Sequence, residues 1–133
     1  MEQLRKDGDL VLDLVAINET ELVGHMAFSR LRIEGKGPSF DAVALAPMAV
    51  QRDRQRSGVG KSLVENAHHL LAERGEALSV VLGEPAYYGR FGYTHARAAG
   101  FESVYQGEAL QALAWGTAPQ AGRLIYPPAF SGL

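Results

Sequence analysis

Between Gly58 and Leu82 the sequence imposes an order of elements that few folds accommodate. Val59, Leu63, Val64, Ala67, Leu70 and Leu71 recur at helical spacing, Lys61, Glu65, Asn66 and Glu73 lie largely off that stripe, and Gly75 after Arg74 is a typical helix stop. The run Leu78-Ser79-Val80-Val81-Leu82 follows at once and is almost purely apolar. Such a run suits a central strand buried on both faces, lying parallel to the strand before the helix. The segment therefore predicts a β-α-β unit, whose crossover is right-handed.

What precedes the unit reads as antiparallel. Leu10 to Ile17 is rich in Val, Leu and Ile, Asn18-Glu19-Thr20 is a polar turn, and a second apolar stretch runs from Leu22 to Leu31. In it Leu22, Gly24, Met26 and Phe28 share one face, and Val23, His25, Ala27 and Ser29 share the other. Gly35-Lys36-Gly37-Pro38-Ser39 breaks the pattern, Phe40 to Leu45 resumes it as a third strand, and Pro47 ends regular pairing. Beyond the β-α-β unit, Pro85 suits a first helical turn, with a short helix from Ala86 to Phe91 closed by Gly92. Phe101 to Tyr105 reads as a strand, Glu108 to Trp115 as a short helix, and Arg123 to Tyr126 as a last strand. The expected fold class is α/β, with a mixed, mostly antiparallel central sheet, a parallel pair in its middle and flanking helices.

The 133 residues, 47% of them hydrophobic and 21% charged, fit a single packed domain. The formal charge of −2 provides no global basic field, so neither nucleic acid nor an anionic membrane is expected as a partner. With no cysteine there is no disulfide framework, thiolate metal site or cysteine nucleophile. Met1 to Asp9 has no apolar stretch behind its basic residues, and Leu10 to Ile17 is interrupted by Asp13. The reading is of a cytoplasmic protein without a signal peptide or membrane span.

The chemistry concentrates in Gln55-Arg56-Ser57-Gly58-Val59-Gly60-Lys61-Ser62, a glycine-bearing turn at the start of the helix. A helix N-terminus presents amides without intrahelical partners, and its dipole favours negative charge. Arg52, Arg54, Arg56 and Lys61 make this stretch cationic in a slightly acidic chain, which points to a phosphorylated ligand. Gly60-Lys61-Ser62 matches the end of a P-loop, but position 55 is Gln where that motif needs Gly, and Leu78 to Leu82 runs into Gly83-Glu84 rather than ending in a magnesium-binding Asp.

Gln55, Gly58 and Gly60 also match the pattern Q/R-x-x-G-x-G/A, and here the chain resembles the GCN5-related N-acetyltransferase (GNAT) superfamily, a bacterial predicted-acetyltransferase subgroup in particular. Leu45-Ala46-Pro47-Met48-Ala49-Val50 resembles the strand segment that leads into that motif in the family. Tyr87-Tyr88-Gly89-Arg90-Phe91-Gly92-Tyr93 matches its later aromatic signature. Two separate motifs in the right order, across about residues 10 to 105, make the resemblance specific.

The resemblance implies one acyl-CoA-binding acetyltransferase domain over residues 1–133, which moves acetyl from acetyl-CoA, as co-substrate and without a metal, to a primary amine by direct attack in a ternary complex. It implies that the third strand and the Leu78 to Leu82 strand are splayed apart in the middle of the sheet, with the pantetheine in the gap along Met48, Ala49 and Val50 and an amide at or beside Val50 on the thioester carbonyl. The pyrophosphate falls on Arg56, Ser57, Gly58, Val59, Gly60 and Lys61, near Gln55 and Ser62. Tyr88 matches the family's general-acid tyrosine. An alkyl ammonium with a pKa of about 10.4 is neutral in only about 0.04% of molecules at pH 7, so a base is useful. Glu84 is the first candidate and His25 and Asp41 follow, although each also reads as an ordinary capping, packed or solvent-facing residue. Tyr87, Phe91 and Tyr93 read as core aromatics, His68 and His69 as partly solvated helix residues, and Trp115 as packing under the tail. A non-catalytic acyl-CoA-binding or regulatory module is the competing reading. Family members normally carry a strand and one or two helices ahead of the hairpin that starts here at Leu10. These have no counterpart in residues 1–9, which leaves a homodimer that supplies them, a short gene start or an open acceptor side.

Overall fold

The computed structural model describes residues 6–51 and 58–128, the side chain of Pro47 excepted. Three long strands come first: β1 (Leu10–Asn18), β2 (Glu21–Glu34) and β3 (Phe40–Val50). Helix α1 (Val59–Glu73) leads to β4 (Leu78–Leu82), then come α2 (Pro85–Gly89), α3 (His95–Ala98), β5 (Phe101–Glu102), β6 (Leu110–Ala114) and β7 (Gly122–Ile125). They build one sheet in the order β5-β7-β2-β3-β4-β6, with β1 also paired to β2. β1, β2 and β3 are antiparallel neighbours, and β3 and β4 are parallel, the arrangement expected of the β-α-β unit.

Each face of the sheet carries its own core. On one, Leu63, Val64, Ala67 and Leu71 of α1 pack on Met26, Phe28, Val43, Leu45 and Val81. Burying the two leucines and the valine contributes about 1.5–3 kcal/mol each relative to exposure. On the other, Leu31, Ile33, Ala42, Ala44, Leu78 and Val80 meet Ala98, Phe101 and Leu110. β4 feeds both cores, so its apolar run is continuous rather than alternating.

Four expectations change. The third strand, read as ending at Leu45 with Pro47 stopping its pairing, runs to Val50, and Met48, Ala49 and Val50 still pair with β2 because the sheet holds that edge past the proline. The segment read as a helix over Glu108 to Trp115 contains β6: its Leu110, Gln111 and Ala112 are buried, and the strand pairs antiparallel with β4 from Leu78↔Ala114 to Leu82↔Leu110. Leu, Gln and Ala favour helices in isolation, but here they complete the second edge of β4. α3 was not anticipated; Thr94 caps it by accepting the Arg97 N–H at 3.2 Å. β5 spans only Phe101–Glu102 of the longer strand expected to Tyr105.

An ion pair ties the α1–β4 connection to the sheet. Arg30 on β2 donates to both Glu76 carboxylate oxygens, at 3.0 and 2.9 Å, and to Ala42 O at 3.0 Å on β3. The side chains are only 20% and 14% exposed, and the Glu76 hydrogen bond holds the guanidinium above its usual pKa. Glu76→Gln leaves that cation partly buried without its carboxylate. Urea denaturation should show a loss of about 1.5–3 kcal/mol, the range for hydrogen bonds to charged groups.

Candidate functional site

The site begins where two strands stop pairing. β3 and β4 are in register only from Val43↔Ser79 to Leu45↔Val81, yet β3 continues to Val50. From Met48 to Val50 it stays paired on its β2 side, with Met26, His25 and Gly24. Between Met26 and Phe28 the register slips, so that β3 uses one residue more than β2, a bulge that twists β3 away. The Gln51 N–H donates to Val23 O at 2.9 Å, and by the alternation of an antiparallel ladder this turns the peptide groups of Val50 outward from β2. A gap thus opens at the carboxyl ends of β3 and β4.

Helix α1 starts at the mouth of this gap. Its N-cap is Gly58, at φ 93°, which only glycine adopts without strain, and among the described residues no side chain caps the first turn. The Ser62 N–H bonds to Gly58 O at 2.9 Å, so the amides that the helix leaves without intrahelical partners are those of Val59, Gly60 and Lys61. Facing them across the gap is α2, capped by Glu84, whose carboxylate accepts the Ala86 N–H at 3.4 Å.

The resulting cavity, about 640 Å³, is lined by Met48, Ala49, Val50, Gly60, Gly83, Glu84, Tyr87 and Tyr88. Six expected site residues, Met48, Ala49, Val50, Gly60, Glu84 and Tyr88, therefore meet. Val59 instead turns its side chain onto Gly24 and the core. Lys61 and Ser62 are exposed on α1, and Ser62 takes a hydrogen bond from Asn66 through its carbonyl. Gln55, Arg56 and Ser57, together with Arg52 and Arg54, lie outside the described residues.

Tyr88 stands against Gly83, whose missing side chain makes the fit possible: a Cβ there would lie 2.5 Å from the Tyr88 ring. Burial first, and Tyr87 second, raise the Tyr88 pKa, so its phenol stays protonated at neutral pH. Tyr87, read from sequence as a core aromatic, lines the cavity. Its hydroxyl presses against Gly60, and Arg90 sits 5.2 Å from its ring centroid. The signal for it lay in the pair itself, since neighbours on a helix diverge by about 100° and cannot both face one core.

Behind Tyr88 lies a buried polar chain. Tyr93 is 1% exposed, its ring is 5.9 Å from that of Tyr88, and its hydroxyl meets Ser79 Oγ at 2.7 Å and His68 Nε2 at 3.0 Å. His68, read as partly solvated, is half-buried: it packs edge-on to Trp115 at 5.2 Å, and burial pushes its pKa down to about 4. His69 is exposed beside Glu73, at 3.3 Å.

The candidate bases separate. Glu84 lines the cavity while capping α2, whereas Asp41 sits at the far end of β3, 3.5 Å from Arg32. His25 lies opposite Ala49, and its Nε2 is 2.6 Å from Asp13 Oδ1 on β1. Beside it a second groove, about 240 Å³, is lined by residues 22–25 and 49–51.

An acetyltransferase (GNAT) domain family matches residues 6–96. YhbS of Escherichia coli K12, an uncharacterized N-acetyltransferase, is 37% identical over 114 residues, 80% of this chain and 67% of that one. The chain thus spans about two thirds of that relative's length. The crystal structure of E. coli YhbS in complex with CoA superimposes with a TM-score of 0.83 at 30% identity, covering 98% of this chain and 74% of that one. A GNAT family acetyltransferase from Brucella melitensis, in complex with acetyl-CoA, gives 0.78 at 32% identity, covering 97% and 74%.

The half-buried histidine makes an acid-stability prediction. Unfolded, His68 takes up a proton near pH 6.5; folded, it does so only near pH 4, so stability falls as pH drops through that window. His68→Gln cannot titrate there. Denaturation at pH 7.5 and 4.5 should show the variant losing less stability than the native protein, by about 1–2 kcal/mol after allowance for the solvent-reached part of the ring.

Proposed function

Because this chain belongs to the GNAT family of acetyltransferases, we propose that it transfers acetyl from acetyl-CoA to a primary amine, by direct attack with both substrates bound. The observation that carries this reading is the meeting of an uncapped helix N-terminus with an open strand gap at one cavity. A pyrophosphate needs amide donors and a positive dipole end, which Val59, Gly60 and Lys61 supply. A pantetheine arm needs peptide partners along a groove, and the Met48–Val50 segment lines this one on the side where β4 has stopped pairing. The CoA and acetyl-CoA complexes of the two structural relatives support the same occupant.

Acetyl-CoA supplies an activated thioester, and the protein's part is electrostatic and protonic. A backbone N–H at or beside Val50 stabilises negative charge as it develops on the thioester carbonyl oxygen. Tyr88, held protonated and at the cavity wall, gives its proton to the departing sulfur. A thiol near pKa 8.5 is a stronger acid than a phenol near 10, so this transfer runs uphill and is completed when a proton released by the amine restores the phenol. Glu84, on the cavity rim, is well placed to attract an ammonium group.

Two substitutions separate catalysis from binding. Tyr88→Phe keeps the ring that fills the space beside Gly83 and removes the proton. Thiol release from acetyl-CoA in the presence of an amine panel should slow roughly 100-fold, with the CoA dissociation constant unchanged. Gly58→Asp places a carboxylate at the helix N-terminus and should weaken CoA binding on the order of tenfold by calorimetry. Tight CoA binding with no amine-stimulated thiol release would favour the non-catalytic module instead.

A further inference from the structure

The two cavities touch at Ala49 and Val50, which line both. A reaction between two bound substrates needs such a meeting point: one chamber for the acyl donor, another for the acceptor, and a shared wall where the bond forms. Resting on the proposed acetyl transfer, we infer that the smaller groove is the acceptor subsite. It takes a cationic primary amine carried on an apolar alkyl or arylalkyl group, with His25 as the base and Asp13 as its positioning residue.

Strand register brings the parts together. Val15 on β1 pairs with His25 on β2, and His25 pairs with Ala49 on β3, so the three side chains form a row on one face of the sheet. His25 and Asp13 are 27% and 28% exposed, half-buried yet reachable. Nε2 lies 2.6 Å from Asp13 Oδ1, and in the neutral tautomer that donates this N–H, Nδ1 is the proton acceptor. Around the pair the surface is apolar, with Val15, Leu22 and Ile17 exposed at 52%, 53% and 61%. Among the described residues, the charge in contact with the imidazole is the Asp13 carboxylate. Apolar walls beside the His25–Asp13 pair suit an ammonium head on a hydrocarbon body, and they disfavour an amine that also bears a carboxylate.

The proton balance closes. His25 Nδ1 takes one proton from the ammonium and returns it to solvent. The freed lone pair forms the C–N bond, the C–S bond breaks, and the Tyr88 proton goes to sulfur. A second proton leaves the nitrogen through solvent to restore Tyr88, and the third remains as the amide hydrogen.

The test compares three acceptors by thiol release: 2-phenylethylamine, β-alanine, and O-benzylhydroxylamine, whose nitrogen is already unprotonated at neutral pH. The native protein should prefer 2-phenylethylamine to β-alanine in kcat/KM. His25→Asn and Asp13→Asn should each lower kcat/KM for 2-phenylethylamine about 100-fold while sparing O-benzylhydroxylamine and the KM for acetyl-CoA. His25→Gln is the second variant should His25→Asn fold poorly. A substitution that merely disturbs the fold slows both acceptors alike. That result, or no effect on either, overturns the dyad, and equal use of β-alanine overturns the substrate class. Failure of the native protein to bind CoA overturns the proposed function and this inference with it. CoA binding with an unselective His25 effect overturns this inference alone.

Discussion

The short pairing of β3 with β4 is the constraint on which the rest of the molecule depends. A parallel pair joined through a helix ordinarily continues in register and closes its own edge. Here the ladder runs only from Val43↔Ser79 to Leu45↔Val81, while β3 goes on to Val50 under the hold of β2. The bulge opposite Met26 and Phe28 steers β3 aside, and what would be a continuous sheet becomes a cleft between two half-sheets. The two cores, one on each face, keep the halves from closing, because the cleft lies beyond the point where β4 feeds both.

The same geometry explains how a slightly acidic chain presents oriented amide donors without relying on net charge. The amides at the start of α1 are fixed by a helix whose buried face is anchored on Met26 and Phe28, and Gly58 leaves them without a competing side-chain cap. The donors are therefore oriented before any ligand arrives. Across the cleft, α2 stands close enough for the Tyr87 hydroxyl to touch Gly60, so the two helices share one wall at the cavity mouth.

The sheet's middle and the cleft were legible in the sequence because their signals are local. The α1 stripe, the apolar β4 and the two separated motifs each speak from a few adjacent residues. β6 was not legible: Leu110-Gln111-Ala112-Leu113-Ala114 has helical composition, and its strand state comes from the open edge of β4, a partner about thirty residues earlier in sequence. Even the polar Gln111 is buried there, donating to Gly83 O at 3.3 Å. The ring contacts of His68 are non-local in the same way, since Trp115 and Tyr93 arrive from distant segments. Asp13 was passed over as an interruption in an apolar strand, and its pairing with His25 exists only because of the β1–β2 register.

The Ser79–Tyr93–His68 chain behind Tyr88 has a consequence for how that phenol senses its surroundings. Burial raises the Tyr93 pKa well above the phenol range, burial holds the imidazole to about 4, and Ser79 does not titrate. Across the neutral range this backing is uncharged, so it imposes no field that varies with the medium. The Tyr88 proton is then shielded from the acidity of bulk solvent on its inner side and responds to charge that enters from the cleft. The wall acts as an electrically quiet background against which the arrival of a ligand is the dominant signal.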